Sequence, residues 1–133
     1  MRPLLVVLTG CVVIVGATSC GSKLPDPGPM PPGATFAGVW DSNWGQMRLM
    51  QQGGHVHGTF QGFRSGSLSG DANGNLYVFR WTEYKTSQLG RGYLVMSPDG
   101  KALEGRWGYQ KEYSNGGRWW ATRATDAEPV GTE

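Results

Sequence analysis

His55 and His57 stand two residues apart in an alternating stretch, so both imidazoles project from one face of an extended chain. Two imidazoles at that spacing can share a Zn²⁺ or Cu²⁺ ion, but such a site needs a third ligand. No nearby Cys or carboxylate is signalled, so the pair is a weak metal candidate. The plainer reading is two solvent-facing side chains on a hairpin with Thr59 and Gln61. Between residues 36 and 124 the carboxylates are Asp41, Asp71, Glu83, Asp99, Glu104 and Glu112. Asp71 and Asp99 fall in expected turns, where Asp is favoured for local hydrogen bonds. Glu83 ends the alternating run Tyr77, Phe79, Trp81, which places it at a mouth of the fold. Glu83 with Glu104 is a nominal carboxylate pair for glycoside hydrolysis, yet nothing in the spacing demands that role. No Ser-His-Asp or Cys-His arrangement is visible. The chain is therefore read as a protein that is not an enzyme and carries no cofactor.

Aromatic and arginine side chains carry the better functional signal. Exposed Trp and Tyr stack on sugars or apolar ligands, or anchor protein interfaces. Arg stacks on Trp and also recognises carboxylates and phosphates. Arg80 lies between Phe79 and Trp81, and Arg118 precedes the pair Trp119-Trp120. The candidates for ligand or partner binding are Trp44, Tyr77, Arg80, Trp81, Arg118 and Trp120. Against this stands the plain expectation that most of these rings fill a small core. Trp119 and Trp120 are adjacent in an extended segment, so one is expected inside and the other at the surface or a rim.

The elements that must hold these residues are strands. A unit of apolar residue, Gly and aromatic residue recurs: Gly38-Val39-Trp40, Val56-His57-Gly58-Thr59-Phe60, Leu103-Glu104-Gly105-Arg106-Trp107 and Gly117-Arg118-Trp119. In each, the Gly leaves a gap beside a ring or allows a close backbone approach. Gly53-Gly54, Asn73-Gly74, Asp99-Gly100 and Asn115-Gly116-Gly117 are hairpin-turn signals. They separate strands expected over 39–44, 46–51, 55–61, 66–70, 75–83, 92–96, 102–109 and 118–123. No stretch keeps a helical period. Pro98 falls in a turn, where it is tolerated. About eight short antiparallel strands joined in sequence point to an all-β fold, a small up-and-down barrel, with a small β-sandwich as the alternative. Gly38-Val39-Trp40 is similar to the Gly-x-Trp that opens avidin-like and lipocalin-like barrels. The resemblance is one of architecture, and no ligand-binding residues are carried over from it.

The rest of the chain of 133 residues is arranged around this domain. Met1-Arg2 begins a basic, then apolar, then small-residue leader over 1–19, the layout of a signal peptide and short for a membrane span of about 20 apolar residues. Ala17-Thr18-Ser19-Cys20 resembles the lipobox of bacterial lipoproteins, with Ala17 where that family prefers Leu. Leu8-Thr9-Gly10-Cys11 is the rival match. The resemblance implies lipidation at Cys20. With Gly21-Ser22 following, no Asp retention signal stands after that Cys, which implies the outer membrane. The two Cys, Cys11 and Cys20, both lie in the leader region, so no disulfide framework is expected. Residues 20–35 hold five of the eight prolines and read as a flexible tether. At about 3.1 Å per residue, such a tether reaches about 45 Å. Residues 36–124 form the expected barrel domain and 125–133 a disordered tail.

Six Trp, five Tyr and four Phe, all beyond residue 35, supply a core that no disulfide supports. Residues 36–124 carry ten basic and six acidic side chains, a net charge of +4 without any Lys/Arg run. That argues against a nucleic-acid groove and is compatible with an ordinary solvated surface or an anionic envelope partner. The expected function is a non-catalytic cell-envelope lipoprotein. It would be a binding or assembly module of a surface machine for adhesion, motility or secretion, with an envelope protein or polysaccharide as partner. Two alternatives stay open: a carrier of a small apolar ligand in the lipocalin or avidin sense, and an inhibitor like the small barrel lipoproteins that block C-type lysozyme, whose disulfide this chain lacks.

Overall fold

The computed structural model describes residues 23–124. The leader, Cys11, Cys20, Gly21-Ser22 and the tail 125–133 lie outside the described residues. Eight strands follow one another: β1 Gly38–Ser42, β2 Gly45–Gln52, β3 His55–Gln61, β4 Ser65–Asn73, β5 Leu76–Glu83, β6 Leu89–Met96, β7 Ala102–Tyr109 and β8 Gly117–Arg123. Each pairs antiparallel with the next, and β8 returns to β1 through Trp40↔Arg123, Asp41↔Thr122 and Ser42↔Ala121. The sheet is thus a closed up-and-down barrel, with no unpaired edge to recruit another strand.

Three strands have a boundary that differs from the sequence reading by more than one residue. β1 stops at Ser42 because the Trp44 amide donates to Ser42 Oγ and Ser42 Oγ–H donates to the Gly45 carbonyl, which folds Asn43-Trp44 into a turn. β4 and β6 run longer than expected, to Asn73 and from Leu89. The added residues, Asp71-Ala72-Asn73 and Leu89-Gly90-Arg91, carry little periodic apolar signal, but the neighbouring strands pair with them.

Alternation sorts the side chains. Trp40, Met47, Leu49, Val56, Leu94 and Leu103 point inward and are almost wholly buried, while Arg48, His57, Arg80 and Arg118 point outward. Gly105 lies between Leu103 and Trp107 on the inner face, as the recurring unit implies. A Cβ there would run into the Tyr93 carbonyl oxygen of β6, so the small residue permits a close strand approach.

The two ends of the barrel are built differently. At one end the preceding chain folds back over the opening. Phe36 is fully buried, its ring centroid 5.5 Å from that of Tyr77, and Met30 and Ala34 pack against the core. The Gly28 amide donates to Asn75 Oδ1 at 2.7 Å, and the Asn75 amide returns a bond to the Gly28 carbonyl at 3.0 Å. The expected tether is therefore corrected over residues 24–35: this segment is a strap docked on the barrel. Its docking rests on a distant turn, where Gly74 adopts φ +58° against the Gly28 carbonyl, and a composition rule does not see such a contact.

Arg123 locks the strap down. Its guanidinium donates to the Ala37 carbonyl at 2.9 Å and the Thr35 carbonyl at 2.7 Å, and reaches the Gly100 carbonyl at 3.3–3.4 Å. Burial lowers its pKa from the usual arginine value, but a guanidinium remains protonated in proteins.

Candidate functional site

The end opposite the strap is open. It is formed by the β1–β2, β3–β4, β5–β6 and β7–β8 connections. Its floor is aromatic. Phe60 and Phe79 meet Trp119 edge-on at centroid distances of 5.4 and 5.3 Å. Above them Trp107 meets Trp44 at 5.2 Å and Trp81 at 5.6 Å, again edge-on. Trp44, Phe60, Trp81, Trp107 and Trp119, with Arg64 and Glu83, line a hollow of about 20 Å³, room for one or two waters when each needs about 10–15 Å³. The indole N–H groups of Trp44, Trp107 and Trp119, all residues that line it, have no hydrogen-bond partner among the described residues.

A polar latch borders the hollow. Glu83, almost fully buried, accepts from Thr86 Oγ1 at 2.8 Å and lies 3.7 Å from Arg64 Nη1. Arg64 in turn sits 5.9 Å from the Trp44 ring centroid. The latch ties the β3–β4 connection to the β5–β6 connection. Outside it stand exposed apolar side chains: Phe63 is 96% exposed, Tyr84 58% and Leu89 53%. Ser87 and Gln110, in two of the rim connections, hold left-handed φ angles of 59° and 58°. That conformation is uncommon for non-glycine residues and is found at functional loops.

The structure divides the sequence candidates among three places. Trp44 and Trp81 come together in the mouth, and Trp81 Nε1 donates to the Gly108 carbonyl at 3.1 Å. Tyr77 is a correction: it is wholly buried, its hydroxyl donates to the Val56 carbonyl at 2.9 Å, and no partner can reach it. Burial, with a smaller contribution from the Asp71 carboxylate, pushes its phenol far above the ordinary tyrosine range, so it stays neutral. Arg80, Arg118 and Trp120 point outward from the barrel wall; the backbones of Arg118 and Trp120 bond Asn43 of the β1–β2 connection, on the outer flank of the mouth. Trp120 is 43% exposed and Trp119 only 3%, as strict alternation requires.

His55 and His57 share the outer face of β3 with ring centroids 5.6 Å apart. His55 is held by Asp71 at 3.5 Å and Ser69 at 3.4 Å. Among the described residues no group of three or more His, Cys, Asp or Glu side chains is arranged to hold a metal. Glu83 faces inward and Glu104 outward, so the nominal carboxylate pair does not face one hollow. The sequence reading missed Phe63, Arg64, Tyr84 and Leu89. The signal was present at Gly62-Phe63-Arg64: a large ring inside a turn has no core to enter.

Comparison with protein families, with curated proteins and with solved structures finds no match. Among the described residues no helix is long and apolar enough to cross a membrane.

Proposed function

We propose that the protein is a non-catalytic binding or assembly module of the bacterial cell envelope, attached to the outer membrane by lipid on Cys20. The observation that carries the binding role is the asymmetry of the barrel. One end is strapped shut, while the other presents Phe63, Tyr84 and Leu89 around an aromatic floor. Exposed rings beside well-packed aromatic neighbours are what protein interfaces use as anchors. The partner is an envelope protein whose surface receives these side chains, in an accessory role to an adhesion, motility or secretion machine. The lipid anchor rests on the lipobox-like leader.

The filled interior supports a scaffold over a carrier, since one or two waters fit where an apolar ligand would have to lie. One observation favours a second reading, that of an enzyme inhibitor. Phe63 projects at the tip of a short connection, the shape that enters an active-site cleft.

The test is cross-linking of the full-length protein in native envelopes. The double variant Phe63→Ser/Tyr84→Ser should lose the partner while keeping its fold. Retention of the same partner by the double variant overturns the mouth as the docking site. Inhibition of lysozyme by the wild-type chain, lost in Phe63→Ser, selects the inhibitor reading. Palmitate labelling that disappears in Cys20→Ala supports the anchor, and persistent label moves the site to Cys11.

A further inference from the structure

The outer wall of β5–β8 carries four of the chain's arginines in an unusual arrangement. Arg80 of β5 lies directly opposite Arg91 of β6, and Arg106 of β7 lies directly opposite Arg118 of β8. Directly opposed like charges destabilise a sheet. Here the same conflict occurs twice on one face. None of the four guanidinium groups forms an ion pair among the described residues.

Two of the four are instead held in place by the long β7–β8 connection. Arg91 Nη1 bonds the Tyr113 hydroxyl at 3.3 Å and lies 5.5 Å from its ring centroid, and Arg106 reaches the Ser114 carbonyl through both Nε and Nη2 at 3.2 and 3.1 Å. The other two, Arg80 and Arg118, are exposed and free to meet a ligand. Each pair lines its own surface hollow. Arg80 and Arg91 share one with Tyr113, and Arg106 and Arg118 share another with Tyr93. The carboxylates in these hollows are Asp71, beside His55, and Glu104, so cationic groups outnumber anionic ones.

We propose that this face binds an acidic polysaccharide, a chain of carboxylated sugars lying across the four strands. Arg91 faces Gly108 and Arg106 faces Tyr93, so the row steps by two residues between β6 and β7; with strands about 4.8 Å apart and about 3.3 Å per residue along them, it spans about 16 Å, long enough for several anionic groups of one extended chain. A guanidinium matches a carboxylate in a two-point fork; Arg80 and Arg118 keep theirs open, while Arg91 and Arg106, already bonded to Tyr113 and Ser114, add fixed positive charge. Tyr93 and Tyr113 supply ring faces of the kind that pack on the C–H face of a sugar. A membrane surface fits less well. The four arginines sit on the barrel wall around hollows, and the apolar side chains suited to insertion, Phe63, Tyr84 and Leu89, belong to the mouth instead. The inference is independent of the mouth reading.

The probe is polygalacturonate, with neutral dextran, DNA and phosphatidylglycerol vesicles as comparisons, and the full-length protein is used in detergent. Wild type should bind polygalacturonate and lose affinity as salt rises, and should ignore dextran. Arg80→Gln/Arg118→Gln should weaken binding by about tenfold or more, because each loses a charge-assisted hydrogen bond. Arg48→Gln, which removes one charge from the exposed face of β2 where the double variant removes two, should leave binding within about twofold of wild type. Without ligand the double variant should melt no lower than wild type, since two like-charge conflicts are relieved. Equal loss from Arg48→Gln, equal or tighter binding to DNA or vesicles, or a clearly lower melting point in the double variant each overturns the proposal.

Discussion

The guanidinium of Arg123 lies over the indole of Trp40, its central carbon 4.1 Å from the ring centroid. The contact joins the last strand to the first at the closing seam of the barrel, where Trp40 and Arg123 are register partners. Trp40 Nε1 donates to the Phe36 carbonyl at 2.9 Å, so the pair also holds the strap. Arg123→Lys keeps the charge but loses the planar fork that serves three carbonyls. It should cost about 1–3 kcal/mol, the range for buried polar groups left without their partners. Chemical denaturation measures this, and a wild-type midpoint in Arg123→Lys would show that charge alone suffices.

The strap should contribute measurable stability. A chain beginning at Ala34 loses Met30 and both bonds between Gly28 and Asn75. Asn75→Ala removes only the side-chain acceptor and should cost about 1 kcal/mol, typical of one hydrogen bond. Hydrogen exchange of the Gly28 amide gives the local readout: protection in wild type and its loss in Asn75→Ala. Equal melting of the shortened and longer chains would return residues 24–35 to the role of a tether.

The contrast between strap and barrel shows which features were legible in the chain. Strand number, order and four of the seven turns were readable because each is written locally, in alternation and in Gly-rich turn signals such as Asp99-Gly100. The inward direction of Trp107 and the unequal pair Trp119-Trp120 followed from the same alternation. The strap was not readable because Gly28 meets Asn75 47 residues away. Tyr77 was misjudged as a binding residue because sequence separates inside from outside but does not give depth within the barrel. Arg80 and Arg118 could be placed on the surface, but their opposition to Arg91 and Arg106 depends on register between strands, which the turns alone do not set.

The β6–β7 turn should register in the acid limb of stability. Asp99 accepts from Ser97 Oγ at 2.7 Å and from the Lys101 amide at 2.9 Å, and these bonds, that from Ser97 first, hold its pKa below the ordinary carboxylate value. A group depressed in the folded state stabilises above its unfolded pKa, and that contribution fades as pH falls through the lower folded value. Asp99→Asn should therefore flatten the loss of stability below about pH 4. Because the carboxylate is exposed the change is small, and melting curves from pH 6 down to pH 2 will show it as a shallower acid slope. An unchanged slope would mean that the turn does not sense the charge.

Gly105→Ala should be costly and Gly54→Ala nearly silent, although both add a single methyl. At Gly105 the new Cβ meets the Tyr93 carbonyl of the adjacent strand, which must move. Overpacking of this kind costs about 1–3 kcal/mol. At Gly54 the nearest atom is the Ala72 carbonyl oxygen at 3.5 Å, an ordinary contact, so the change should stay within about 0.5 kcal/mol. Similar midpoints for the two variants would show that β6 and β7 can separate without loss.

Trp119 and Trp120 provide the sharpest test of the strand register, because they are chemically identical neighbours on opposite faces. Trp119 is 3% exposed and touches Phe60 and Phe79 edge-on, whereas Trp120 is 43% exposed on the outer wall. Trp119→Ala should cost about 3–5 kcal/mol, the usual loss for a buried large ring, and Trp107→Ala, at 7% exposure beneath Trp44 and Trp81, a similar amount. Trp120→Ala should cost less than about 1 kcal/mol. A further substitution separates packing from polarity. The Trp119 indole N–H has no hydrogen-bond partner among the described residues, so deleting it leaves no protein acceptor unpaired. Trp119→Phe deletes that donor and keeps an aromatic ring against Phe60 and Phe79. It should recover much of what Trp119→Ala loses, whereas a hydrogen-bonded indole would show little recovery. Urea melts of the four variants decide the matter: equal costs at 119 and 120 refute the register, and a Trp119→Phe variant as weak as Trp119→Ala refutes the unpaired donor.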